Sequence, residues 1–208
     1  MGLIDISRSI SPATAVWPGD QPVEWTWTSR LGQEDASVNL GAIHLSTHTS
    51  THVDAPYHVS EEGGTTDDLP LSAFVGTARV VDVGDASSLR PEHVDGLTAE
   101  RVLFKTEASA LPDHEWPDSV AAFETDTIQH LAANGTVLVG TDAPSVDSLD
   151  STTLPAHQAL LDAGIVNLEG LCLANVSPGT YHLMALPLKI SGADAAPVRA
   201  VLRESVAG

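Results

Sequence analysis

The chain has 208 residues, 42% of them hydrophobic, which is enough to bury a substantial core and is most simply one domain spanning 1–208. Acidic residues outnumber Lys and Arg 28 to 9, and a net charge of -19 repels nucleic acid and anionic membrane alike, so neither is expected as a partner. The start, MGLIDISRSI, lacks the basic region and long apolar run of a signal peptide, and no apolar stretch approaches a membrane span, so a soluble, cytoplasmic protein is the expectation.

In chain order, LIDIS (3–7) has strand character and leads into SPATAVWPGD (11–20), a loop by its Pro and Gly content. Trp17 precedes a turn-forming Pro-Gly pair there, so its indole is either displayed for stacking on an aromatic ring or used to cap the core. VEWTW (23–27) alternates, and Trp25 and Trp27 are expected to pack inward. AIHL (42–45) is expected as a buried strand, with His44 a hydrogen-bonded core histidine and not a ligand. After the loop VSEEGGTTDDLP (59–70) come the strands ARVVDV (78–83) and RVLFKT (101–106), then a helix over 124–135 stopped by Gly135. TVLVG (136–140) and IVNLE (165–169) flank a second helix, PAHQALLDAG (155–164), for which Thr153 is the expected N-cap and Gly164 the stop. Cys172, the single cysteine, can form no internal disulfide and is expected as a core thiol in LCLANV. HLMALPLKI (182–190) reads as a strand, and AAPVRAVLRES (195–205) as a closing helix.

Between the early strands lies the densest chemistry in the chain, HLSTHTSTHVDAPYH (44–58), with His44, His48, His52, Asp54 and His58. Imidazole with carboxylate is the donor set preferred by Zn(II) and Mn(II), although histidines in a Ser- and Thr-rich stretch are also found as solvated loop residues. His48 and His52 share one face if the chain turns, whereas full extension would part them by roughly 13 Å. His52 and Asp54 point the same way only on an extended strand, and Pro56 disfavours a helix just before it. A turn that straightens is the expected shape. His58 would then stand just beyond the ligands.

Two downstream residues add to the set. His157 falls in the first turn of its helix, where it is either a ligand or an exposed polar residue. Glu169 interrupts an apolar run; a bound cation is one reason for a carboxylate there, and a solvated strand end is the other.

HTSTHVDAPYH resembles the HxGTHxDxPxH signature of the cyclase family of metal-dependent amide hydrolases, and in particular its bacterial formamidase branch. DISRSISPATAVWPGD (5–20), TDAPSVD (141–147), HQALLDAGIVNLEGL (157–171) and MALPLKISGADAAPVRAVL (184–202) resemble formamidase segments in the same order. One departure is Ser50, where the signature has glycine. The resemblance implies an α/β, β-rich swivelling β/β/α fold with two metal ions per chain, Zn(II) or alternatively Mn(II). His48, His52 and Asp54 would hold the first, with Asp54 bridging to a second held by His157 and Glu169. It further implies His58 as the catalytic acid/base, Trp17 beside the substrate, and at least a homodimer, for which the three tryptophans before residue 30 are a candidate interface. The implied reaction is hydrolysis of N-formyl-L-kynurenine, a small-molecule substrate, to L-kynurenine and formate in tryptophan breakdown. The absence of a GxSxG elbow sets the chain apart from serine-dependent formamidases. An isatin-like cyclic amide is the alternative substrate, and a metal-stabilised binding protein without turnover the reading from another class.

Overall fold

In the computed structural model, which describes residues 2–204, the regular elements of the first half of the chain are strands and short 3-10 turns joined by loops. The strands run β1 (Leu3–Asp5), β2 (Glu24–Ser29), β3 (Leu40–His44), β4 (His52–Asp54), β5 (Val75–Gly84), β6 (Ser88–Leu89), β7 (Arg101–Thr106) and β8 (Ala122–Phe123). There follow α1 (Thr125–Ala133), β9 (Leu138–Thr141), α2 (Pro155–Ala163), β10 (Val166–Glu169), β11 (Gly179–Met184), β12 (Ala195–Pro197) and β13 (Val201–Glu204). Nine strands form one sheet in the order β1-β13-β11-β5-β7-β9-β10-β4-β12. Its centre, β5 to β10, is parallel and its flanks are antiparallel.

The parallel centre is the covered part of the sheet: β7 is buried on both faces apart from the partly exposed Lys105, and β9 is buried throughout. Val102 and Phe104 join Ile128 and Leu131 of α1 and Leu160 of α2 in one core, while Leu103 between them points into another. That second core holds Val53 and Ala196 from one end of the sheet together with Leu183 and Leu202 from the other. Strands so distant in sheet order share a cluster only if the sheet curls around it. The result is the mixed, β-rich α/β fold expected from the sequence.

Several local expectations are corrected. The helix expected over 195–205 does not form across its described residues, 195–204, residue 205 lying outside them: Val198, Ala200 and Leu202 are buried while Arg199 and Arg203 are exposed, the period of two that makes β12 and β13. Pro197 is tolerated because β12 is the edge strand. The strand expected over 182–190 ends at Met184, and Leu186 and Leu188 beyond it are exposed. Helix α2 opens and closes as expected at Pro155 and Gly164, but its N-cap position is Leu154 and no side chain of that residue or of Thr153 caps it. Instead the Asp147 carboxylate accepts from the backbone N–H of Ala156 and His157, at 2.9 and 3.1 Å. A cap borrowed from a residue distant in sequence leaves no local signal.

The hairpin of β2 and β3 pairs only with itself, and it is exposed along nearly its whole length. Trp25 and Trp27, expected in the core, lie on the outside and meet edge to face at 5.5 Å. His44 is likewise no core residue: it faces solvent, 4.0 Å from Glu24. Cys172 is only partly buried.

Candidate metal centre

Strand β4 shows why the site forms where it does. Val53 faces the curled core, so His52 and Asp54 face the opposite side, under α2. On the neighbouring β10, Leu168 pairs with Val53, and Glu169 lies directly across from His52. Asn167 and Glu169 therefore share the His52–Asp54 face, and the first turn of α2 lowers His157 onto it. His48 returns to the same place through the turn at 47–51, the turn-then-strand shape read from the spacing.

The five proposed ligands converge on Asp54. His48 Nδ1 is 3.0 Å and His52 Nε2 3.3 Å from Asp54 Oδ1, while His157 Nε2 is 3.3 Å from Asp54 Oδ2. Glu169 lies 3.4 Å from both His52 and His157. His52, Asp54, His157 and Glu169 are all buried, and Asn167 Nδ2 donates to both carboxylates, at 2.9 and 3.2 Å. Asp54 belongs to two groups whose ligand atoms lie within 4.8 Å of one another: His52, Asp54 and Glu169, and His48, Asp54 and His58.

Each imidazole is held by its second nitrogen. His157 Nδ1 donates to Asp147 at 2.7 Å, His52 Nδ1 to the Ser50 carbonyl at 3.0 Å, and His48 Nε2 to Asp194 at 3.0 Å. These acceptors are a carbonyl and two carboxylates, so the remaining nitrogen of each ring turns toward Asp54. That outer support is how metal-binding histidines are oriented. Two buried atoms at the centre, His52 Nε2 and Asp54 Oδ1, have no hydrogen-bond partner. Facing lone pairs at this distance need a positive charge between them, either a proton or a cation, and buried imidazole and carboxylate suit a divalent ion.

The electrostatics agree. Burial opposes charge on every one of these groups, yet the imidazoles hold Asp54 well below the carboxylate range and Glu169 below it too. Against the same burial, the carboxylates push His48 up, His52 to about 10 and His157 to about 12. The field that raises these imidazoles is the field that favours a cation among them.

His58 ends a short 3-10 turn, with its ring 4.2 Å from His48 and 5.6 Å from His157, and its Nδ1 3.8 Å from Asp194. Burial, more than any neighbour, lowers its pKa, which leaves a neutral imidazole able to take up a proton. His44 is not part of the cluster.

A cleft beside His48 is lined by Arg8, Ser50, Leu111, Trp116 and Gly170. Trp17 stands behind it, 5.5 Å edge to face on Trp116. Arg8 fixes the cleft wall, donating to the carbonyls of Leu111 and Ala108 at 2.9 and 2.6 Å, and its own N–H donates to Thr51 at 2.9 Å. Asp142 holds the same wall from below through the N–H and hydroxyl groups of Thr106 and Ser109.

Sequence reasoning missed Asp147, Asp194, Asn167 and Trp116. Asn167 had a signal, its two-residue spacing from Glu169 on a strand. Asp147 and Asp194 stand in TDAPSVD and in the 184–202 stretch, where no spacing to the histidines marks them.

The Cyclase family model matches residues 4–148. A kynurenine formamidase of Salinibacter ruber (strain DSM 13855 / M31) is 68% identical over 99% of both chains. A solved structure described as a potential metal-dependent hydrolase with cyclase activity is 29% identical, with a TM-score of 0.83 over 98% of this chain and 99% of that one. Isatin hydrolase A of Labrenzia aggregata, bound to benzyl benzoate, shares the fold at 24% identity, with a TM-score of 0.83 over 97% of this chain and 93% of that one.

Proposed function

Because the chain belongs to the cyclase family, we propose that it is a kynurenine formamidase, hydrolysing N-formyl-L-kynurenine to L-kynurenine and formate in tryptophan degradation. The observation that carries this reading is identity of 68% along essentially the whole of both chains with a relative of that name. The buried His–carboxylate cluster, opening beside an aromatic-lined cleft, supports it.

In this reading His48, His52, Asp54, His157 and Glu169 would hold two Zn(II) ions, with Mn(II) as the alternative and Asp54 shared by both. When bound, such ions supply Lewis acidity, which acidifies water and polarises a carbonyl. The residues supply the rest. Asp147, Asp194 and the Ser50 carbonyl keep the three rings turned inward, so the donor set is formed before any ligand arrives. His58 stands beside the ligands without an outer partner of comparable strength, and its neutral ring takes a proton from the attacking water. Delivering that proton to the amide nitrogen lets the C–N bond break to arylamine and formate. Trp116 forms the wall on which the substrate's ring rests, and Trp17, packed edge to face against it, holds that wall from behind.

A homodimer joined through the exposed β2–β3 hairpin and a place in the cytoplasm complete the proposal. Among the described residues no helix is long and apolar enough to cross a membrane. The test is turnover: metal-loaded protein should release kynurenine from N-formylkynurenine, followed by absorbance, and should act far more slowly on isatin. Metal binding with no turnover of either would overturn the assignment.

A further inference from the structure

Ser50 stands where the cyclase signature has glycine, and its φ of 65° lies in the left-handed region that glycine adopts freely and serine does not. The surroundings hold it there. Thr51 Oγ1 donates to the Gly170 carbonyl at 2.6 Å and accepts from Arg8 N, while Val198 N donates to the Thr51 carbonyl at 2.9 Å. Gly170 has no room for a side chain, because a Cβ there would lie 2.2 Å from the Ser50 oxygen. Glycine at position 50 would meet every one of these backbone contacts without strain. What serine adds is a hydroxyl.

That hydroxyl is buried and has no hydrogen-bond partner, although Ser50 lines the same cleft as His48 and Trp116. An unsatisfied buried hydroxyl is a cost, and it comes on top of the backbone strain. Thr49 Oγ1 is also without a partner, but Thr49 does not line the cleft. An unpartnered hydroxyl on a residue that lines the cleft, between two metal-ligand positions, needs only a turn about χ1 to face the reacting end of a substrate there. On the acyl side a formamide carries only hydrogen and one acceptor, the carbonyl oxygen. Resting on the formamidase reading, we propose that Ser50 Oγ donates a hydrogen bond to the substrate's carbonyl oxygen, a bond that strengthens as negative charge develops there.

The experiment compares wild type, Ser50→Ala and Ser50→Gly, each metal-loaded, for kcat and KM on N-formylkynurenine, metal content and Tm. Both variants should lose kcat by on the order of 10²-fold, the usual cost of removing one such donor, with KM and metal content close to wild type. Ser50→Gly should melt higher than Ser50→Ala, since it alone relieves the left-handed strain, and it remains available if the alanine variant folds poorly. Wild-type kcat in both variants, or loss of metal in step with loss of activity, would overturn the proposal while leaving the formamidase reading in place. A wild-type protein inert toward N-formylkynurenine overturns that reading, and this inference with it.

Discussion

On β4 and β10, His52, Asp54 and Glu169 are 2%, 5% and 3% exposed, whereas on β2 and β3 Trp25, Trp27, Leu40 and Ile43 are 47%, 46%, 56% and 48% exposed. Each region carries the composition ordinarily found in the other. Strand β4 lies between β10 and β12 in the main sheet, beneath α2, so its outward face is covered whatever residues it bears. The hairpin pairs with no other strand among the described residues and stays exposed along nearly its whole length. Both regions are incomplete alone, and the cluster calls for cations while the hairpin calls for an apolar surface.

The largest effect should come from the residue common to both ligand groups. Asp54→Ala should lose all bound metal and all detectable activity, while wild type binds about two ions per chain by elemental analysis. A wild-type stoichiometry that stays at one under excess metal would rule out the bridge.

His58→Ala should keep metal and fold yet lose kcat by on the order of 10² to 10⁴. The deficit should shrink for formyl amides whose arylamine carries electron-withdrawing groups, because a better leaving group needs less protonation. Metal loss in this variant would make His58 a ligand.

Removing an outer support should cost less than removing a ligand. Asp147→Asn keeps the size of the side chain but weakens its hold on His157 Nδ1, and metal affinity should fall by roughly 10- to 100-fold in a competition titration. Unchanged affinity would mean that the α2 backbone alone positions the ring.

On the hairpin, Trp25→Ser with Trp27→Ser should leave the far-UV spectrum intact and convert the protein to monomer. Light scattering of wild type should give about twice the chain mass of 21.7 kDa. A wild-type monomer at micromolar concentration would break the comparison, since the exposed face would then have no partner of its own kind.

The smallest effect lies away from both regions. Asp67 is held down to about 2 by hydrogen bonds from Thr65, Gly192 and Ser191. A carboxylate with a depressed folded pKa stabilises above its unfolded value near 3.8, and that contribution is lost as pH falls through about 2. Asp67→Asn should therefore lower Tm slightly at neutral pH, with the difference shrinking between about pH 4 and 2 and vanishing below it.

What the sequence by itself determined is what depends on near neighbours. The two-residue spacing of His52 and Asp54 made them a strand pair, Pro155 and Gly164 bounded α2, and RVLFKT read as a strand. The candidate ligands His48, His52 and Asp54 stood out as a group because their motif is local. Tertiary structure alone decided the rest, since it turns on groups far apart in the chain. Asp147 caps α2 and orients His157 ten residues on, and Asp194 reaches back to His48. Residues 195–204 became strands because β4, β1 and β11 offered unpaired edges, and backbone groups pair wherever an edge is available. Whether an apolar strand is covered or bare, as β7 and β2 show, depends on what the fold places above it, a fact no window of sequence contains.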